Sequence, residues 1–147
     1  DTIMVGLLIT GHGHFATGLG SSLKLITGNT ENIVYVDFEA DHSTDTLTEN
    51  INKGLDELKD CDGVLVLSDL AGGSPFKSAV ECKVARPDQA IEVLAGSNLP
   101  MLIEGSMAMA AFDSPLDMAQ SLIETGKEYI VRFELTAHED NAEEDGI

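Results

Sequence analysis

The sequence predicts an α/β domain built on an open, mostly parallel sheet in the order 2-1-3-4, flanked by helices. Three observations point there. Short, almost wholly apolar runs recur at residues 3–9, 33–38, 63–68 and 90–95, as parallel strands covered on both faces require. Between them lie segments whose apolar residues repeat every three or four positions, the pattern of helices with one buried face. Three of the runs end in polar, glycine-rich turns. In open parallel sheets ligands bind beyond such strand ends, where the strand order reverses.

Taken in order, residues 3–9 form the first strand and run into Thr10-Gly11-His12-Gly13-His14. Phe15, Leu19, Leu23 and Ile26 share one face of the first helix, with Gly28 expected as its stop. The second strand is IVYVDF at 33–38, rich in β-branched and aromatic residues. Leu47, Ile51, Leu55 and Leu58 make the second helical face after a polar start at 43–45. GVLVLS at 63–68 is the third strand. Phe76, Val80 and Val84 are expected on the buried face of the third helix, with Pro75 in its first turn. AIEVLA at 90–95 is the fourth strand, and a fourth helix is expected over 99–111. Ser114-Pro115-Leu116-Asp117 reads as a capping box for a fifth helix, with Gly126 as its stop. EYIVRFEL at 128–135 is expected to be a last strand. Residues 137–147 are acidic, lack apolar periodicity, and are expected to be a disordered tail after a single domain at 1–136.

A chain of 147 residues, 43% hydrophobic, is long enough for one domain with a proper core. No apolar run spans a bilayer, and the opening residues carry no basic leader, so no signal peptide is expected. The net charge of −18 excludes a nucleic-acid or anionic-membrane surface. It suits electrostatic steering toward a basic protein partner, and equally plain solubility. Cys61 and Cys82 form no CxxC pair and no metal spacing, which predicts free thiols in a reducing cytosol.

The candidate chemistry lies at the strand ends. With the first and third strands adjacent, His12 and Asp69 meet in one crevice. A neutral imidazole held in one tautomer is a nucleophile toward phosphoryl groups. A carboxylate on the other ring nitrogen fixes that tautomer. Gly72-Gly73-Ser74-Pro75 precedes a helix, so its backbone N–H groups are candidate phosphate contacts that need no lysine or arginine. Singly, each piece also reads as plain structure: GHG as a turn, GGSP as a helix cap, Asp69 as a turn residue. Their joint placement carries the functional reading. His12-x-His14 has no third or fourth ligand at matching spacing, so no metal is expected. His42 and His138 are expected to be solvated. Met101, Met107, Met109 and Met118 are expected to pack in the core or a dimer contact.

These residues resemble a known family. The start LLITGHGHFATGL, the strand end Val36-Asp37-Phe38, the segment DLAGGSPF at 69–76 and GSNLPM at 96–101 are similar to the IIA component of the mannose-family sugar phosphotransferase system. The similarity covers about residues 3 to 135. It implies that His12 takes a phosphoryl group from the phosphohistidine of HPr and passes it to a histidine of a separate IIB component. Asp69 would orient the ring, and Gly72, Gly73, Ser74 and Thr10 would hold the phosphate. It also implies a cytoplasmic homodimer in which the last strand crosses to the partner's sheet, antiparallel to the rest, and it implies no cofactor. His14 receives no role. Because the sugar in such systems meets the membrane components, no residue here reads it. Two other readings stay open: the phosphocarrier subunit of a dihydroxyacetone kinase, and an α/β regulatory module without catalysis. The GGSPF turn favours the transporter branch.

Overall fold

A computed structural model describes residues 3–136. Strands β1 (Val5–His12), β2 (Ile33–Phe38), β3 (Gly63–Ser68) and β4 (Ile91–Leu94) form one parallel sheet in the order β2-β1-β3-β4. Helices α1 (Phe15–Ile26), α2 (Thr44–Glu57), α3 (Ser74–Ala85), α4 (Leu99–Met107) and α5 (Pro115–Glu128) cover it. Side chains alternate across a strand, so β1 feeds two cores. Val5, Leu7 and Ile9 pack with Leu65 and Leu67 beneath Leu23 of α1, Leu102 of α4 and Leu122 of α5. Leu8 packs with Val64 and Val66 against Leu47, Ile51 and Leu55 of α2 and Ala79 of α3. Each fully buried leucine here contributes roughly 1.5–3 kcal/mol from apolar area alone. The reactive strand end therefore stands on the best-buried part of the molecule.

Helix starts are capped by the residues the sequence offers. Ser43 Oγ accepts from Thr46 N–H at 3.0 Å, Asn98 Oδ1 from Met101 N–H at 3.2 Å, and Ser114 Oγ from Asp117 N–H at 3.1 Å. The start of α1 differs. His14 precedes it without a capping side chain. Instead Asp37, at the end of β2, accepts from Thr17 N–H at 3.0 Å and Thr17 Oγ1–H at 2.6 Å.

Several expectations need correction. The buried face of α3 is Pro75, Ser78, Ala79 and Cys82, whereas Val84 is exposed. Small residues face the sheet there because α3 packs closely against it and α2. The fourth helix ends at Met107, not 111. Past it the chain turns so that Met109 enters the core and its carbonyl accepts from Val5 N–H at 3.0 Å. Gly126 does not stop α5. It lies inside the helix where Met101 crosses, and a Cβ there would fall 2.7 Å from Met101 Sδ. Nor is a strand formed over 128–135 in the single chain. Glu128 ends α5, residues 129–136 have no regular structure, and Val131, Phe133 and Leu135 are about 80% exposed. His42 is not simply solvated: its Nδ1 accepts from Glu39 N–H at 3.1 Å and ties the turn after β2.

Met101, Met109 and Met118 are core residues and Met107 is exposed. Cys61 and Cys82 are free, and burial pushes both thiols up. Among the described residues no helix is long and apolar enough to cross a membrane. The tail expected over 137–147, with His138, lies outside the described residues.

Candidate functional site

Parallel pairing of β1 with β3 runs up to Thr10 opposite Ser68. Just beyond that pair, His12 at the end of β1 and Asp69 directly after β3 meet. Asp69 Oδ2 accepts from His12 N–H at 2.9 Å and lies 2.8 Å from His12 Nδ1, while Asp69 Oδ1 accepts from Leu70 N–H at 2.8 Å. Partial burial alone raises the Asp69 carboxyl. The hydrogen bonds from the His12 amide, the His12 ring and the Leu70 amide, with the His12 charge, outweigh it and hold the carboxyl below its usual range. An ionised carboxylate only accepts, so the proton of a neutral His12 ring sits on Nδ1. That leaves the lone pair on Nε2. The side chain is 46% exposed against 13% for Asp69, an accessible nucleophile on a sheltered carboxylate.

The turn after β3 closes the site on one flank. Gly72 has φ +95, a conformation L side chains rarely adopt. Gly73 lies so near the ring that a Cβ would stand 2.7 Å from His12 Cε1 and 3.4 Å from Nε2. Ser74 opens α3 with Pro75 behind it. The first N–H groups of a helix have no intrahelical acceptor, and Pro75 lacks one altogether. The turn thus brings the start of α3, with those N–H groups, to the flank of the His12 ring.

Thr10 is placed differently from the rest of the predicted set. It is fully buried, two residues before His12 on the same face of β1, and its Oγ1 has no hydrogen-bond partner. Among the described residues only Ser97 Oγ shares that condition.

Two features were not found from the sequence. The ring of Phe38 meets that of His12 edge-on, centroids 5.9 Å apart at 63°. Its signal was present in the Val36-Asp37-Phe38 strand end, but only strand register brings it to His12. His14 is joined by Asp37 and Glu39, with all three ligand atoms within 4.8 Å of one another and His14 Nε2 3.6 Å from Glu39 Oε1. Local spacing missed these ligand types because they come from another strand. All but Asp37 are exposed, and exposed carboxylates group in this way without a metal.

Comparison with known proteins agrees with this architecture. Over 124 residues the chain is 36% identical to the PTS system mannose-specific EIIAB component of Escherichia coli (strain K12), covering 84% of this chain and 38% of that relative. The chain thus spans well under half the length of that protein. It is 34% identical over 101 residues to the PTS system fructose-specific EIIA component of Bacillus subtilis (strain 168), covering 69% of this chain and 68% of the relative. The crystal structure of the phosphotransferase system component EIIA from Streptococcus agalactiae superposes with a TM-score of 0.81 at 34% identity, covering 88% of this chain and 97% of that one. The family model EIIA-man, described as PTS system fructose IIA component, matches residues 6–122. That span takes in the sheet, the His12–Asp69 pair and the glycine turn, and the chain belongs to the EIIA-man family of phosphotransferase-system IIA components.

Proposed function

We propose that this protein is a cytoplasmic phosphocarrier of a sugar phosphotransferase system, accepting a phosphoryl group on His12 from phospho-HPr and passing it to a separate IIB component. One observation carries the proposal: a half-exposed imidazole whose Nδ1 is engaged by an ionised carboxylate at 2.8 Å. The Nε2 lone pair attacks phosphorus, an N–P bond forms on His12, and the N–P bond to the donor histidine breaks with its electrons returning to that ring. Asp69 keeps Nδ1–H in place and offsets the charge that develops on the imidazole. Gly72, Gly73 and Ser74 form the phosphate-facing turn, with Thr10 one layer beneath His12. The reverse sequence at Nε2 delivers the group to IIB, so no cofactor enters. A charge of −18 suits a basic docking patch on the donor.

The same reading includes a homodimer with residues 128–135 paired antiparallel on the partner's sheet. Its support is the two-residue spacing of exposed Val131, Phe133 and Leu135 and the position of β4 at the sheet edge. Beside the segment lies an apolar groove lined by Leu99, Pro100, Ile103, Met107 and Tyr129.

Incubation with enzyme I, HPr and phosphoenolpyruvate tests the proposal. An acid-labile mass gain of one phosphate is expected in the wild type and not in His12→Ala. No gain in the wild type overturns it. Label that moves on to a dihydroxyacetone kinase complex, but not to any sugar-specific IIB, reassigns the acceptor.

A further inference from the structure

Phe38 closes the strand-end motif Val36-Asp37-Phe38, and the phosphoryl chemistry described above gives it no task. Its contact with His12 is built into the sheet. His12 and Phe38 are register partners across β1 and β2, and Gly13 N–H donates to the Phe38 carbonyl at 2.7 Å. The backbone of Phe38 is therefore fixed relative to the reactive turn. Asp69, by contrast, grips the imidazole ring at one atom, Nδ1. A single hydrogen bond at the ring edge leaves the ring free to tilt about that bond. The strand order sets what stands on either flank. With β1 between β2 and β3, Phe38 flanks the ring on one side and the turn at Gly73 on the other.

We infer that Phe38 is a positioning residue for His12, its ring blocking the tilt that Asp69 permits and keeping the Nε2 lone pair on the line of phosphoryl transfer. The inference deepens the phosphocarrier reading and rests on it. Transfer through a loose, in-line transition state leaves positioning as a main contribution of the protein. An edge-on aromatic pair supplies it without adding charge or a competing hydrogen bond.

The test uses the full chain with Phe38→Leu and Phe38→Met, which keep apolar volume, and Phe38→Tyr, which keeps the ring. One readout is the rate of His12 phosphorylation by phosphoramidate, a small donor that forms no protein interface. The second is the ¹³C relaxation spectrum of the imidazole C–H groups of unphosphorylated His12, which reports how far the ring tilts. Thermal midpoints establish that each variant is folded. Phe38→Leu and Phe38→Met are expected to slow the phosphoramidate reaction roughly two- to tenfold and to increase the ring motion seen in the spectrum, with Phe38→Tyr restoring both. Wild-type rate and spectrum in Phe38→Leu and Phe38→Met overturn the inference. So does a loss seen only with phospho-HPr, which assigns Phe38 to docking. Failure of the phosphocarrier reading is a separate result: the wild type takes no phosphate from phospho-HPr, while the imidazole spectra still decide the role of Phe38.

Discussion

Gly73→Ala isolates the geometry of the site better than removal of His12 does. Gly73 has φ −88 and ψ 168, ordinary extended backbone, so alanine adds no conformational strain. Its effect is steric. The new Cβ stands 2.7 Å from His12 Cε1, about 0.7 Å short of ordinary contact at 3.4 Å. Retreat of the ring by that amount stretches the 2.8 Å bond to Asp69 to the outer limit of a hydrogen bond. A bond to a charged acceptor contributes roughly 1.5–3 kcal/mol, which converts to a ten- to hundredfold slower phosphorylation. Should the turn retreat instead, the phosphate contacts proposed for it move away from the ring and the rate falls as well. Folding is spared, because alanine for glycine at a helix N-cap costs roughly 1 kcal/mol or less. Rapid-quench measurement of single-turnover phosphorylation by phospho-HPr reads the rate, and urea unfolding reads the stability. Wild-type transfer with an unchanged His12 Nδ1–H resonance would refute the reasoning, since it would mean that the ring does not need the space Gly73 leaves.

Asp69→Asn keeps the shape and removes the charge, so transfer should slow by at least tenfold. Because the Asp69 carboxyl is held below its usual range, its stabilising contribution is full above the unfolded value of about 3.9 and is lost as pH falls through the folded value. The gap in urea midpoint between wild type and Asp69→Asn should therefore be constant at neutral pH and close on acidification; a gap that widens in acid contradicts the assignment. Thr10→Val removes a buried hydroxyl that has no partner and should be neutral or stabilising by up to about 1 kcal/mol. Unchanged transfer in that variant takes Thr10 out of the phosphate set, and a large loss keeps it there. Val131→Asp with Phe133→Asp places two charges on the exposed apolar segment. Sedimentation should then show a dimer becoming a monomer, and either a monomeric wild type or a variant that stays dimeric rejects the swapped strand.

What the sequence makes legible here is what is local. The β1 and β3 runs read as strands because nearly every residue in them is buried, and the Ser114 cap reads directly because both of its partners lie within four residues. The His12–Asp69 contact was legible for a less local reason: with β1 beside β3, the turns that follow the two strands emerge side by side. Phe38 and the Asp37 cap on Thr17 needed more, since a one-residue slip of β2 against β1 turns each side chain to the other face. The buried face of α3 is not legible from its large apolar residues, because close packing there selects Ser78, Ala79 and Cys82. Residues 128–135 have the two-residue apolar spacing of a strand, but in the single chain they pair with no sheet edge and Val131, Phe133 and Leu135 are exposed. The proposed reactive centre shows the same division. Its two chemical groups announce themselves as strand-end motifs, but the space in which the ring sits is set by β2 on one flank and a missing Cβ at Gly73 on the other. A histidine and an aspartate at those strand ends are thus not sufficient for an aligned Nε2. The flanking register has to be right as well, and that makes Phe38 and Gly73 the positions where a chain with the same two groups would lose its alignment first.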